Sequence, residues 1–296
     1  MLFPPAHPAG GVSVLPVRSG SSGNLTVLRH CGGAILVDAG LPSGRALDSA
    51  LAEASVAWQQ VEAVLVSHLH SDHVNAHTVS RCTEHGIPIY IHEKNRRMFE
   101  SRIFSRLDER KRARFQGQSL LQTFDGEIFP VGPVSVRAFQ VPHDAVGLTC
   151  GFRLHIEAGG RDIRVVMATD LGHCGNGLFE DFVDADLILI EANHDEQMLA
   201  ESRRLDRHRV SGDGGHLSNR QAAMLLVRTL KESLRRPSGI VLCHLSGDHN
   251  NPHLAAGTVR DILSRHDFDG IRLHVAPSSL PFCLPFPAGA QGTQRL

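Results

Sequence analysis

Seven residues, SHLHSDH at 67–73, hold three histidines and one aspartate. Imidazole and carboxylate are metal-ligating groups, so this density reads as half a metal site. The competing reading is a polar surface turn in a chain that carries 19 histidines. His68 and His70 are two apart at the end of an apolar run and project to one side of an extended chain. Asp72 and His73 follow at the expected start of a helix over 72–85, which Ser71 could cap. Four such groups on one turn serve two adjacent cations better than a single tetrahedral ion, which would be strained to use them all.

Further ligand types stand where other apolar runs stop: His143 in VPHDA, Asp170 in VMATDLGH and His244 in VLCHLS. Each alone is more simply a satisfied polar loop residue. Together with H-x-H-x-D-H they form a set, and strand ends are rigid enough to aim ligands. His7, His30, His85, His92 and His155 have no neighbouring ligand type and read as surface or satisfied residues.

The elements that must position these groups are short. VSVLPV, NLTVLRH and GAILVDAG read as strands cut by glycine-rich turns, including RSGSSGN at 18–24. GRALDSALAEA reads as a helix, and VEAVLV as a buried strand that runs directly into SHLHSDH. Over 93–116 the pattern predicts an amphipathic helical segment, with Met98, Ile103, Leu107 and Phe99 or Phe104 on one face and a basic remainder. More short runs follow, then helices at EQMLAESRRL, SNRQAAMLLVRTLKESL and NPHLAAGTVRDILSRH, with IRLHVAP as the last strand. Two batches of strands, each followed by helices, predict an α/β (α+β) chain with two face-to-face sheets and helices outside. One domain over 12–280 is expected, with frayed extensions at 1–11 and 286–296.

Composition narrows the function classes. With 42% hydrophobic and 21% charged residues in 296, a buried core is expected. No apolar run reaches the roughly 18 residues of a membrane span, and the first residues, MLFPPAHPAGG, lack the basic start and apolar core of a secretion signal. Six scattered cysteines without a CxxC fit reduced thiols in a cytoplasmic protein. A net charge of −1 does not announce a nucleic-acid binder. Nothing in the sequence specifies an oligomeric state.

His68-x-His70-x-Asp72-His73, then His143, Asp170 and His244, resembles the metallo-β-lactamase-fold hydrolases, over essentially residues 12–280. The motifs SGSSGN, DAG, SHLHSDH, VPHDA, TDLG, EANHDEQML, GHLSN and HLSGDHNNP are similar in order to the WalJ/YycJ group, relatives of ribonuclease Z. Leu69 departs from the glutamate usual in that group, at a position expected to point away from the metals. The resemblance implies a four-layer αββα sandwich and two divalent cations. His68, His70 and His143 would hold one, Asp72, His73 and His244 the other, and Asp170 would bridge them. Asp38 in VDAG would brace the metal loop. All these donors are N or O, so zinc is the first expectation and manganese the second. Two such cations share a water and lower its pKa, and the resulting hydroxide attacks phosphorus. Of two HLS triplets, His244 follows an apolar strand, whereas His216 follows glycine-rich SGDGG and resembles the histidine that gives a proton to the leaving oxygen. Glu191 in LIEAN resembles its carboxylate orienter.

Fold alone does not set the substrate. A nuclease reading draws on the motif set and on two basic clusters, one including Arg96 and Arg97 and one including Arg203 and Arg204, since such clusters attract phosphate backbones. One tyrosine and one tryptophan make a base-stacking platform an unfavoured mode. The alternatives are a small-molecule hydrolase (a cyclic or phosphonate phosphodiesterase, more remotely a lactonase, thioesterase or lactamase) and a non-enzymatic metal-bound regulator. The stretch between Asp170 and His244 has no room for a large inserted clamp domain of the ribonuclease J kind, and no tRNA-gripping arm is visible. DNA is therefore favoured over RNA, and an exonuclease is the preferred form, chiefly through the WalJ/YycJ resemblance.

Overall fold

The computed structural model of the protein describes residues 11–175, 177–204 and 207–277, and the backbone of Phe282–Leu284. Apart from Gly11, the expected terminal extensions lie outside the described residues. Two seven-stranded mixed sheets make up the centre. The first contains β1 (Val12–Arg18), β2 (Leu25–Arg29), β3 (Ala34–Val37), β4 (Val61–Leu65), β5 (Ile89–His92) and β6 (Leu121–Phe124), with β14 (Phe282–Leu284) paired to the free side of β1. The second runs from β7 (Phe129–Val131) through β8 (Val134–Val141), β9 (Thr149–Ala158), β10 (Arg161–Ala168), β11 (Leu187–Glu191) and β12 (Gly239–Cys243) to β13 (Leu273–Val275). β14 lies past IRLHVAP, the segment expected to be last.

Side-chain alternation makes each inner strand apolar on both faces. On β3, Ile35 and Val37 join the core between the sheets, while Ala34 and Leu36 face the outer core. On β11, Leu187 and Leu189 point inward, and Ile188 and Ile190 outward. This is why AILV and LILIE read as unbroken apolar runs. Helices α1 (Gly44–Glu53) and α2 (Ala76–His85) bury Leu47, Leu51 and Val79 on the outside of the first sheet. The short helices α3 (Arg96–Arg102) and α4 (Glu109–Gly117) add Phe99 and Phe115 there. Beyond α5 (Glu196–Glu201) and α6 (Arg207–Val210), α7 (Asn219–Glu232) and α8 (Pro252–Arg265) cover the second sheet with Leu226 and Val259. Each fully buried Leu or Ile contributes about 1.5–3 kcal/mol. The result is the expected helix–sheet–sheet–helix sandwich. Among the described residues, no helix is long and apolar enough to cross a membrane.

Two local expectations are corrected. The helix after SHLHSDH begins at Ala76, and Asn75 rather than Ser71 caps it, accepting from the backbone N–H of His77 and Thr78. The intervening residues are used in a turn, with His73 N and Val74 N both on His70 O, that aims Asp72 and His73 inward. The basic segment is two helices. Asp108 accepts from Lys111 N and starts the second, so Phe99, Ile103, Phe104 and Leu107 are buried along a bent path, and Met98 is only half-buried.

Strand direction sets up one functional edge. β3, β4 and β5 are parallel, as are β10, β11 and β12. β8 is antiparallel to β9, which is antiparallel to β10, so β8 runs with β10. Within each sheet the chain therefore exits on one side after β3, β4, β8, β10, β11 and β12, next to Asp38, His68, His143, Asp170, Glu191 and His244 respectively.

Candidate metal centre

Three of these exit residues, Asp38, Asp170 and His244, have left-handed backbones with φ of 56°, 58° and 55°. Non-glycine residues adopt that conformation at a cost and concentrate it at functional sites. Here it reverses the chain as the strand ends and turns each side chain toward a common centre. Gly40 lets the DAG turn approach closely: a Cβ there would lie 2.0 Å from the carbonyl carbon of Asp72.

The expected ligands converge. His68 Nε2 is 2.9 Å from His70 Nδ1, and the His143 ring centroid is 5.2 Å from each of those rings. Asp72 Oδ2 is 3.5 Å from His73 Nε2 and 3.9 Å from His244 Nε2. Asp170 sits between the groups, with Oδ2 3.0 Å from His73 Nε2 and Oδ1 3.6 Å from both His143 Nε2 and His244 Nε2. In each of the sets His68/His70/His143, Asp72/His73/His244 and His68/His73/Asp170, the donor atoms lie within 4.8 Å of one another.

Partners behind the rings orient them. His73 Nδ1 is 2.8 Å from Asp38 Oδ2, and His68 Nδ1 is 3.0 Å from Ser67 Oγ, which itself donates to Asp38. His143 Nδ1 donates to Gly215 O at 3.0 Å, and His244 Nδ1 to Glu191 Oε1 at 3.0 Å. Holding the proton on Nδ1 presents Nε2 to the centre as a lone pair. Asp38 meets this loop at His73 and at Ser67, whose hydroxyl gives no signal in the sequence. Glu191 is fully buried and does more than expected: Oε1 accepts from both His216 Nδ1 (2.7 Å) and His244 Nδ1, while Oε2 accepts from Leu171 N and Leu217 N. His216 keeps some solvent contact, and its ring lies 5.1 and 5.2 Å from those of His143 and His244.

The donor set fits cations. His143 Nε2 and His244 Nε2 are buried without a hydrogen-bond partner among the described residues. Asp170 Oδ2 also makes no hydrogen bond, despite the nearby His73 nitrogen. Buried Asp38, Asp170 and Glu191 concentrate negative charge. Burial alone would push Glu191 up, yet the His216 and His244 imidazoles hold it down at about 2. Burial alone would pull His244 down, yet Asp170, Asp72 and Glu191 raise it to about 10. Divalent cations would answer the same charge and take the place of those protons.

The remaining motif residues have structural places. Asp195 caps α5, and Asn251 caps α8. Asn250 donates to Ala192 O and Asn193 O, and His173 Nδ1 donates to Asp213 O. Leu69 packs against the outer core of the first sheet. The four arginines are exposed and stand beside site loops. Arg96 and Arg97 follow Asn95, whose side chain exchanges two hydrogen bonds with the backbone of Leu148, at the end of the His143 loop. Arg96 Nε also meets Glu100. Arg203 precedes Arg204, which pairs at 2.9 Å with Asp248, four residues after His244.

The chain is similar to known proteins in sequence and in fold. The Beta-lactamase superfamily domain profile matches residues 34–234. The chain is 33% identical over 254 residues to Exodeoxyribonuclease WalJ of Streptococcus pneumoniae, covering 85% of this chain and 88% of that one. It is 27% identical over 276 residues to Exodeoxyribonuclease YycJ of Bacillus anthracis, covering 92% and 97%. Among solved structures, the metallo-beta-lactamase fold protein YhfI from Bacillus subtilis superposes with a TM-score of 0.67 at 15% identity, over 92% of this chain and 99% of that one.

Proposed function

The chain belongs to the β-lactamase superfamily, and we propose that it is a metal-dependent nuclease that shortens DNA from an end. The observation that carries this reading is the seven-residue donor set: His68, His70 and His143 on one side, Asp72, His73 and His244 on the other, and Asp170 between them. DNA as the substrate is supported by the two relatives named exodeoxyribonucleases, each matched over most of its length.

In this proposal the two groups hold two divalent cations, zinc by preference for an all-N/O set rich in histidine and manganese as the second choice. Such cations supply an activated water and take up charge on phosphoryl oxygens. The protein's own residues do the rest. Asp38, Ser67, Gly215 and Glu191 keep the imidazole protons on Nδ1, so that ligand lone pairs face the centre. His216 donates Nδ1–H to Glu191, which against the pull of burial raises its pKa and favours the imidazolium, whose Nε2–H would give its proton to the leaving 3′ or 5′ oxygen. Arg96, Arg97, Arg203 and Arg204 would neutralise backbone phosphates without reading bases.

The test is end-labelled duplex DNA incubated with the metal-loaded protein and with an Asp72→Ala variant. Progressive shortening by the wild type alone supports the reading and gives the polarity. Intact DNA in the presence of protein carrying two cations per chain would refute it.

A further inference from the structure

The second ligand group draws on both sheets: Asp72 and His73 follow β4, and His244 follows β12. One loop touches both sides. β1 is antiparallel to β2, which is antiparallel to β3, so β1 runs with β3 and also ends on the ligand edge. It leads into SGSSGN at 19–24, a motif for which the ligand set has no use.

At one end of this loop Asn24 is buried against the metal turn. Its backbone N–H donates to Asp72 O at 2.8 Å. Its side-chain Nδ2 lies 3.2 Å from Asp72 Oδ2 and 3.0 Å from His73 Nε2. Asn24 Oδ1 accepts from Gly20 N at 2.9 Å, which closes the loop on itself. At the other end Ser19 Oγ accepts from the backbone N–H of His244 at 2.8 Å. Gly23 makes the path possible: its φ is 145°, and a Cβ there would lie 2.7 Å from Leu41 Cδ2.

Resting on the two-cation reading above, we infer that the 19–24 loop is a strut that sets the spacing between Asp72/His73 and His244, with Asn24 and Ser19 as positioning residues for that cation alone. The Asn24 amide bonds Asp72 Oδ2, the oxygen that also faces His73 Nε2 and His244 Nε2, and so fixes the plane of the carboxylate and the place of the oxygen nearest the other two donors. Ser19 fixes the backbone from which the His244 imidazole projects. Neither side chain hydrogen-bonds to His68, His70 or His143 among the described residues, so the first group is outside its reach. A residue that only closed its own hairpin would affect overall stability and leave the two cation affinities in their original ratio.

The experiment is a stepwise Zn²⁺ titration of the full chain, stripped of metal, against a chromophoric chelator, with thermal unfolding measured in parallel. Loss of a partner that orients a metal ligand weakens affinity about 10–100-fold. Asn24→Ala and Ser19→Ala should each weaken one step by that amount, the same step that Asp72→Ala removes, and leave the other unchanged. Ser19→Thr, which keeps the hydroxyl, should restore the weakened step. If Asn24→Ala does not fold, Ser19→Ala alone decides, since it removes one oxygen from a half-buried side chain. Unchanged steps, or both steps weakened equally, would overturn the strut. A wild type that takes up fewer than two equivalents would overturn the two-cation reading beneath it.

Discussion

Replacing Glu191 by Gln changes one atom and should disable the site. The carboxylate meets four donors: two imidazole Nδ1–H groups on Oε1, and the backbone N–H groups of Leu171 and Leu217 on Oε2. A carboxamide has one oxygen and one NH2. With the NH2 toward the backbone, two buried N–H groups lose their acceptor, at about 1–3 kcal/mol each. With the NH2 toward the rings, the backbone stays satisfied but His216 and His244 must move their protons to Nε2. The rings can change tautomer and the backbone cannot, so the second arrangement is expected. His244 then presents N–H where a lone pair is needed. Two hydrogen bonds to a charged acceptor are lost, each worth about 1.5–3 kcal/mol. A rise of about 3 kcal/mol in the barrier corresponds to about a 100-fold fall in rate, at 1.36 kcal/mol per decade. Initial rates on end-labelled DNA, with cation content and melting temperature measured beside them, test this. A Glu191→Gln protein within about threefold of wild-type rate would refute the idea that Glu191 fixes both tautomers.

Three further outcomes are expected. His216→Ala should retain two cations and lose about 10²–10⁴ in turnover, the usual worth of a general acid; elemental analysis that finds a cation missing would make His216 a ligand instead. Arg203→Ala combined with Arg204→Ala should weaken DNA binding and flatten its dependence on log salt by up to about two phosphate contacts, whereas an unchanged slope would remove this cluster from the interface. The third concerns pH. In metal-free protein His244 is raised from 6.5 to about 10, with burial opposing and Asp170, Asp72 and Glu191 outweighing it. A raised histidine contributes stability that is present below pH 6.5 and is lost as pH rises toward 10. A bound cation replaces that proton, so the melting-temperature gap between loaded and metal-free protein should widen across this window. A constant gap would show that His244 does not carry the charge.

Much of this site is legible in the sequence because its chemistry sits in compact motifs. H-x-H-x-D-H shows itself, and His143, Asp170 and His244 each follow an apolar run, so the direction of the strands already implies a shared edge. The pairing of Glu191 with His216 follows the family pattern, but its second bond to His244 depends on β11 and β12 being neighbours, which is a fact of sheet order. Ser67 and Asn24 escape notice for the same reason: a hydroxyl or an amide signals nothing until the chain brings Asp38 and Asp72 against it. The start of α2 is misjudged because Ser71 and Asn75 are both good caps, and only the inward turn of Asp72 and His73 decides between them. The break near Asp108 is hidden by a continuous apolar period, although the aspartate is itself an N-cap signal.

The left-handed backbones at Asp38, Asp170 and His244 have a consequence for any effort to improve this protein. Each conformation costs on the order of 1–3 kcal/mol at a non-glycine residue. Glycine would relieve the strain at all three positions, and asparagine adopts this backbone more readily than histidine does. A selection for heat resistance alone is therefore drawn to the residues that aim or orient the donors, and its winners there would be sturdier proteins with a damaged cation site. Robustness has to be sought elsewhere, in the packed faces between the sheets or under the outer helices.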